Sequence, residues 1–243
     1  MRIWAHRGCS LRYPENTLTA FRKAMELKDL TGIETDIQLS KDGHIMIMHD
    51  ETLNRTTDGT GELRNYTLEE LKNMKIDAGD GIVERIPSVE ELLDLLESRL
   101  KAGTLKLNLE LKNSNIRYEG MEQKIVELIH QRGLEHAIVY SSFYGKSLNL
   151  IRELDYEAEI GILDRYTSDC LFKIRGGVNA DALHPEFRSI DSTLHELQGY
   201  TVRAWGSGRL FPEESSGNKL NLTALEVKGI TDIILNEPEV YVS

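Results

Sequence analysis

The stretch Gly32-Ile33-Glu34-Thr35-Asp36-Ile37-Gln38-Leu39, followed by Lys41-Asp42-Gly43 and then His44 to His49, decides how this chain is read. Residues 32–39 form a strand pattern bounded by turn residues. Lys41-Asp42-Gly43 signals a turn, and residues 44–49 read as a return strand that closes a hairpin. Side chains alternate along a strand, so Glu34 and Asp36 share one face. Two acids on one face of a strand wrapped by helices are costly unless they are paired or metal-bound. A two-residue Asp42-Gly43 turn would set His49 opposite Asp36, and a four-residue loop would set it opposite Glu34. Both registers leave the imidazole on the carboxylate face. A three-residue loop would flip that parity unless a bulge restores it.

Outward from the hairpin, strand-like and helix-like segments alternate. Residues 2–6 read as a short buried strand. Asn16 is expected to cap a helix with Leu18, Phe21 and Met25 on its apolar face. Thr67-Leu68-Glu69-Glu70 and Ser88-Val89-Glu90-Glu91 match the capping box, the second opening a helix through Leu92, Leu93, Leu95 and Leu96. Further strands are expected at about 105–111, 137–141, 158–163, 180–184, 200–205 and 231–235. Between them lie helical faces such as Met121, Ile125, Leu128 and Ile129, or Leu148, Ile151 and Leu154. With the return strand set aside, eight strands remain, mostly joined by helices. That count predicts an α/β fold, a (β/α)8 TIM barrel, over a doubly wound open sheet. No Gly-rich phosphate fingerprint follows the first strand to favour the open sheet. Residues 51–87 interrupt the alternation with the turn-rich run Asn54 to Gly61. The expected organisation is one catalytic TIM-barrel domain over 1–243 with a small insertion at about 51–87.

The 243 residues suit one such barrel, and no Pro/Ser/Gly-rich linker divides them. The formal net charge of −11 disfavours nucleic acid and anionic membrane surfaces as partners. Two distant cysteines, Cys9 and Cys170, imply no disulfide framework, and Cys9 reads as a buried thiol. Neither a signal peptide nor a transmembrane run is visible, so a cytoplasmic protein is expected.

His6, Glu34, Asp36 and Glu110 all fall at expected strand ends, and chemistry in a barrel collects at the C-terminal ends of its strands. Three carboxylates, with no cysteine or histidine pair at zinc spacing, favour a hard divalent ion, Mg²⁺ or Ca²⁺. Such an ion would hold a phosphate oxygen. His6 and His49 are then the candidate proton carriers, because an imidazole titrates near neutral pH. Arg7 and Lys112 are candidate phosphate contacts. His184-Pro185, at another strand end, is a weaker candidate. His44, His130, His136 and His195 read as structural or surface residues.

These residues resemble the glycerophosphodiester phosphodiesterase family. The carrying motifs are Ala5-His6-Arg7-Gly8, Pro14-Glu15-Asn16-Thr17, Glu34-Thr35-Asp36, Lys41-Asp42-Gly43 and His49-Asp50. Leu53 to Gly61, Ile86 to Leu93 and Leu109-Glu110-Leu111-Lys112 follow in order. The resemblance implies a barrel with a small insertion and a metal at Glu34, Asp36 and Glu110. It also implies paired histidines at His6 and His49, and phosphate contacts at Arg7 and Lys112, with Glu15 and Asp50 in supporting places. The reaction implied is hydrolysis of a small-molecule glycerophosphodiester to glycerol 3-phosphate and an alcohol. Ser142-Phe143 and Trp205 resemble family positions near the substrate. The C-terminal half departs further. Trp205-Gly206-Ser207-Gly208 replaces the usual Trp-Thr-x-Asn, and Leu235-Asn236-Glu237-Pro238 replaces the usual Thr-Asp-x-Pro. The stretch 206–220, with Leu210 and Phe211, is longer than the family's loop.

On this reading one histidine takes a proton from the attacking hydroxyl, of water or of the glycerol 2-position, and the other protonates the leaving oxygen. His6 is assigned as base and His49 as acid. Two alternatives compete: a phospholipase-like phosphodiesterase acting on a lipid or another diester, and a non-catalytic phosphodiester-binding protein. The first needs an apolar barrel mouth, and the second a lost histidine or metal ligand. The alcohol, the oligomeric state and the role of 206–220 are open at this point.

Overall fold

The computed structural model describes residues 1–206 and 219–243. Eight parallel strands close on themselves: β1 (Arg2–His6), β2 (Gly32–Leu39), β6 (Lys106–Leu111), β7 (Ile138–Ser142), β8 (Glu159–Leu163), β9 (Ala182–His184), β10 (Thr201–Trp205) and β11 (Asp232–Leu235). Closure comes from β1, which pairs with β2 on one side and β11 on the other. Every residue of β2 is buried, as expected for a parallel strand covered on both faces. The fold is therefore the (β/α)8 TIM barrel that the strand count predicts. The strands observed agree with the sequence pattern to within about two residues at each end.

The helices α1 (Leu18–Met25), α3 (Val89–Lys101), α4 (Met121–Arg132), α5 (Gly145–Leu154), α6 (Thr167–Arg175), α7 (Leu194–Leu197) and α8 (Leu222–Val227) run between successive parallel strands. The Ser88 capping box opens α3, which buries Leu92, Leu93, Leu96 and Leu100 in the main core. Leu154, expected on the buried face of α5, is the last residue of that helix and is exposed. The N-cap of α1 is Thr17, not Asn16: its side chain accepts from the Ala20 amide. Asn16 instead adopts a left-handed backbone, φ 57°, and spends its amide on the site described below.

The hairpin departs from both preferred registers. Strand β3 (Ile45–Ile47) pairs Ile37 with Ile47 and Leu39 with Ile45, which is the parity of a three-residue loop, Lys41-Asp42-Gly43. No bulge is needed to return His49, because β3 ends at Ile47 and the chain bends away. The Gln38 amide holds that bend by donating to the carbonyls of Met48 (2.7 Å) and Asp50 (2.8 Å). The Tyr118 hydroxyl, from the segment that precedes α4, donates to the same Gln38 side chain.

Between β3 and α3 the chain forms a 3₁₀ turn at Leu63–Asn65, helix α2 (Leu68–Asn73) and a small hairpin of β4 (Ile76–Asp77) and β5 (Val83–Glu84). The Thr67 capping box opens α2. Met48, Leu53, Leu63, Leu71, Ile76 and Ile86 pack with Met46 into an apolar cluster separate from the main core. Thr19 of α1 donates to Glu84, tying this segment to the barrel.

Polar side chains fill the lower barrel. The Arg203 guanidinium lies 4.4 Å from the centre of the Trp4 ring and donates to Glu159 (2.9 Å). Trp4 Nε1 donates to Asp232 at 2.8 Å. His184 belongs to this layer: it is fully buried, with Nε2 2.8 Å from Arg203 Nη1. Its backbone carbonyl reaches the mouth but its imidazole does not, so the weaker histidine candidate is a core residue. Among the described residues, no helix is long and apolar enough to cross a membrane.

Candidate active site

The site begins with backbone geometry. After β1 the chain turns sharply through Arg7 (φ 58°) and Gly8 (φ 84°). A β-carbon on Gly8 would lie 2.6 Å from the Ala20 carbonyl carbon, so glycine is required for this close approach to α1. The turn sets His6 level with Glu34 in the neighbouring strand. One strand further, Asp36 is level with Glu110. The strand register thus brings together carboxylates 74 residues apart in sequence. Ligand oxygens of Glu34, Asp36 and Glu110 all lie within 4.8 Å of one another, and all three residues are buried.

Each acid has its own electrostatic setting. Asp36 is held well below the usual carboxylate range: burial opposes this, but Arg7, His49 and Lys112 outweigh it. Arg7 Nε lies 3.2 Å from Asp36 Oδ2, and the Asn16 amide donates to the same oxygen at 3.0 Å. Thr35 fixes Asn16 by donating to its carbonyl. Glu34 is pushed well above the usual range, first by burial, then by the charges of Asp36 and Glu110. Lys112 donates to Glu110 at 3.0 Å and lies 3.7 Å from Asp36, which raises its own pKa despite burial. Its ammonium is thus directed at the carboxylates.

The donor set fits a hard divalent cation. It is all carboxylate oxygen, it is crowded, and two of its buried atoms, Glu34 Oε2 and Asp36 Oδ1, have no hydrogen-bond partner. A cation there would relieve the repulsion that raises Glu34.

Two imidazoles face the cavity beside this cluster. His6 Nε2 lies 3.8 Å from Glu34 Oε2, and its Nδ1 is 2.5 Å from Asn236 Oδ1. Burial, then the neighbouring Arg7 charge, lowers its pKa to about 3. His49 Nδ1 is 2.6 Å from Asp50 Oδ1. The cavity, about 650 Å³, opens at the C-terminal ends of the strands and is lined by His6, Arg7, Glu34, His49 and Glu110. Phe143 and Trp205 form an apolar wall, edge to face with ring centres 6.2 Å apart. Trp205 Nε1 donates to the His184 carbonyl at 2.9 Å, which fixes the indole. Cys9 is buried and outside this lining, and both cysteines are free.

The nine residues given site roles from the sequence therefore meet at one end of the barrel, and the weaker candidate His184 does not. Sequence reasoning missed Asn108 and Ser141, which line the cavity with side-chain oxygens lacking partners. Asn108 was findable, since it precedes Glu110 by two on one strand face. Asn236 and Arg55 also line the cavity. No local pattern marks either as a partner of a site histidine or acid. Residues Leu210 and Phe211, and most of the 206–220 stretch, lie outside the described residues.

A closed parallel barrel with imidazoles, a carboxylate cluster and cationic groups at its C-terminal mouth defines a TIM-barrel enzyme of phosphoester chemistry. A model of the glycerophosphoryl diester phosphodiesterase family matches residues 6–169. A glycerophosphodiester phosphodiesterase of Bacillus altitudinis is 42% identical, covering 94% of this chain and 93% of its own. One from Caldanaerobacter subterraneus subsp. tengcongensis is 33% identical, covering 99% and 96%. An Oleispira antarctica phosphodiesterase, solved with its product sn-glycerol-3-phosphate, has a TM-score of 0.76 at 25% identity, covering 98% and 94%. The chain belongs to the glycerophosphoryl diester phosphodiesterase family and is an enzyme of the phosphoric diester hydrolase class.

Proposed function

We propose that the enzyme hydrolyses glycerophosphodiesters to glycerol 3-phosphate and an alcohol, with His6 and His49 as its acid-base pair. The observation that carries this is the meeting of both imidazoles, Arg7 and the carboxylate cluster on one cavity. The Asn236 amide oxygen takes the Nδ1–H of His6, which leaves Nε2, beside Glu34, to accept a proton from the attacking hydroxyl. To act as the acid His49 carries a proton on both ring nitrogens: Asp50, as an ionised acceptor, takes the Nδ1–H and holds the ring, and the Nε2–H is the proton delivered to the leaving oxygen. The hydroxyl comes from water or from the glycerol 2-position. Arg7 and Lys112 add positive charge around the phosphate. Phe143 and Trp205 bound the apolar side of the substrate.

Glu34, Asp36 and Glu110 would hold Mg²⁺ or Ca²⁺. When bound, the ion supplies positive charge to a phosphoryl oxygen. Residues 1–243 would work as one catalytic domain, with 51–87 as an insertion beside the mouth; its separate apolar cluster supports that reading. The two free cysteines fit a reducing, cytoplasmic setting.

The deciding experiment follows release of glycerol 3-phosphate from glycerophosphocholine and glycerophosphoethanolamine, with Mg²⁺, with Ca²⁺ and with a chelator. Release that needs the metal is the expected result. No release under any metal would overturn the substrate assignment. A lipid-directed reading draws on Leu11, Ile82 and Val83, which are exposed beside the mouth. Tight sedimentation with phosphatidylcholine vesicles would favour it.

A further inference from the structure

The exposed insertion residue Arg55 makes contacts that its place on the surface does not require. Its Nε donates to Asp50 Oδ2 at 2.6 Å and its Nη2 to Asp50 Oδ1 at 3.0 Å. The same guanidinium reaches Glu15 with two bonds of 2.7 Å, from Nη1 to Oε2 and from Nη2 to Oε1. Each carboxylate then carries a site residue. Asp50 Oδ1 meets His49 Nδ1 at 2.6 Å, and Glu15 Oε1 accepts from Arg7 Nη1 at 2.9 Å.

An isolated surface ion pair contributes little, because water screens it and two long side chains lose freedom. This arrangement differs in two ways. Both ends are forked, which fixes orientation as well as distance. Both carboxylates are also mostly covered, with side chains 25% and 23% exposed, while Arg55 itself is 43% exposed. The covalent scaffold does little to orient Asp50 and His49, since β3 has already ended at Ile47. Their backbone is held by Gln38, but the carboxylate rotamer of Asp50 is held by Arg55.

We infer that Arg55 is a positioning residue: it fixes the Asp50 carboxylate, and through it the ring orientation and tautomer of His49. The inference rests on the acid-base role proposed for His49. Arg55 touches neither reacting atom in this account. With Arg55 removed, Glu15 and Arg7 still have each other, so substrate binding is largely kept. Among the described residues Asp50 has no other arginine or lysine in hydrogen-bond contact, so His49 loses its fixed orientation.

The test measures kcat, KM and Tm for Arg55→Ala, Arg55→Lys, Asp50→Ala, His49→Ala and the double variant Arg55→Ala/Asp50→Ala. Misplacing a reacting group by a fraction of an ångström costs on the order of tenfold or more in rate. The expected result is a kcat loss of about tenfold in Arg55→Ala with KM within about threefold. Arg55→Lys should recover part of it, since one ammonium can hold Asp50 but cannot fork to both acids. Adding Arg55→Ala to Asp50→Ala should cost less than about twofold more, because both act through one path. A kcat within twofold of wild type in both Arg55 variants would overturn the inference. So would losses that multiply in the double variant, or a loss confined to Tm and KM. If His49→Ala keeps full kcat, the acid-base reading fails. If His49→Ala loses activity and Arg55→Ala does not, only this inference fails.

Discussion

His6 Nδ1 lies 2.5 Å from Asn236 Oδ1, so the first and last strands of the barrel meet at the imidazole that faces Glu34. A neutral amide, rather than a carboxylate, orients this histidine. The amide oxygen accepts from Nδ1–H and leaves Nε2 free to accept a proton, but it adds no charge to favour the imidazolium. Asn236→Asp would add that charge. Its expected effect is a raised His6 pKa and an acid limb of kcat/KM moved to higher pH. Asn236→Ala should lower kcat without that displacement. Identical pH profiles in wild type and Asn236→Asp would refute the orienting role.

Removing either imidazole tests the proton carriers directly. General acid-base catalysis contributes about 10²–10⁴-fold in rate. His6→Ala and His49→Ala should each lose kcat in that range on glycerophosphocholine, as measured by steady-state kinetics. For a p-nitrophenyl phosphodiester, whose leaving group needs no proton, His49→Ala should lose much less than His6→Ala. Equal losses on both substrates would count against His49 as the acid.

Glu34 offers a stability test independent of activity. Its carboxyl is raised by burial and by Asp36 and Glu110. A folded pKa above the unfolded value of about 4.3 means the folded state binds more protons between the two values. Stability is therefore lost as pH rises through that window, and the loss persists at neutral pH without a cation. Glu34→Gln in chelator should raise Tm by about 2–4 °C per 1 kcal/mol relieved. Added Mg²⁺ or Ca²⁺ should raise Tm of the wild type and much less that of the variant. No metal-dependent change in the wild type would argue against a cation site.

Acid should destabilise the fold through buried imidazoles. The His6 pKa falls to about 3, through burial and Arg7, and that of His184 lies well below the usual value through burial and Arg203. An unfolded histidine titrates near 6.5, so below that pH the unfolded chain binds protons the folded one refuses. Stability is then expected to fall on acidification from about pH 6.5, by at most about 1.4 kcal/mol per pH unit for each such group. Urea unfolding at pH 7 and pH 5.5 measures it, and His184→Gln should flatten the slope.

The edge-to-face pair Phe143 and Trp205 should govern binding more than chemistry. Trp205→Ala and Phe143→Ala are expected to raise KM by about tenfold, with kcat changed by less than threefold. A kcat loss equal to the loss in kcat/KM would instead place these rings in the transition state.

Much of the architecture was legible along the chain, because strand and helix signals are local. The buried run of β2, the capping boxes at Thr67 and Ser88 and the spacing of Leu92, Leu93 and Leu96 depend on neighbours within a few residues. The alternation of Glu34 and Asp36 on one face likewise needs no tertiary contact. The His49 placement was only half legible. Its side was argued from hairpin parity, yet the observed loop has the opposite parity, and Gln38 turns the chain back after β3 has ended.

What the sequence by itself determined is the repeating βα pattern and the identity of the acids, imidazoles and cations at strand ends. Only the tertiary structure decided which of these face each other. Closure of the barrel through β1 and β11 sets Asn236 beside His6, 230 residues away. Packing of the segment between β3 and α3 brings Arg55 onto Glu15. The same closure buries His184 against Arg203 and removes it from the site. The physical reason is that side-chain periodicity is a property of a few adjacent residues. Contacts across the barrel depend on strand register and closure, which no short window of sequence contains.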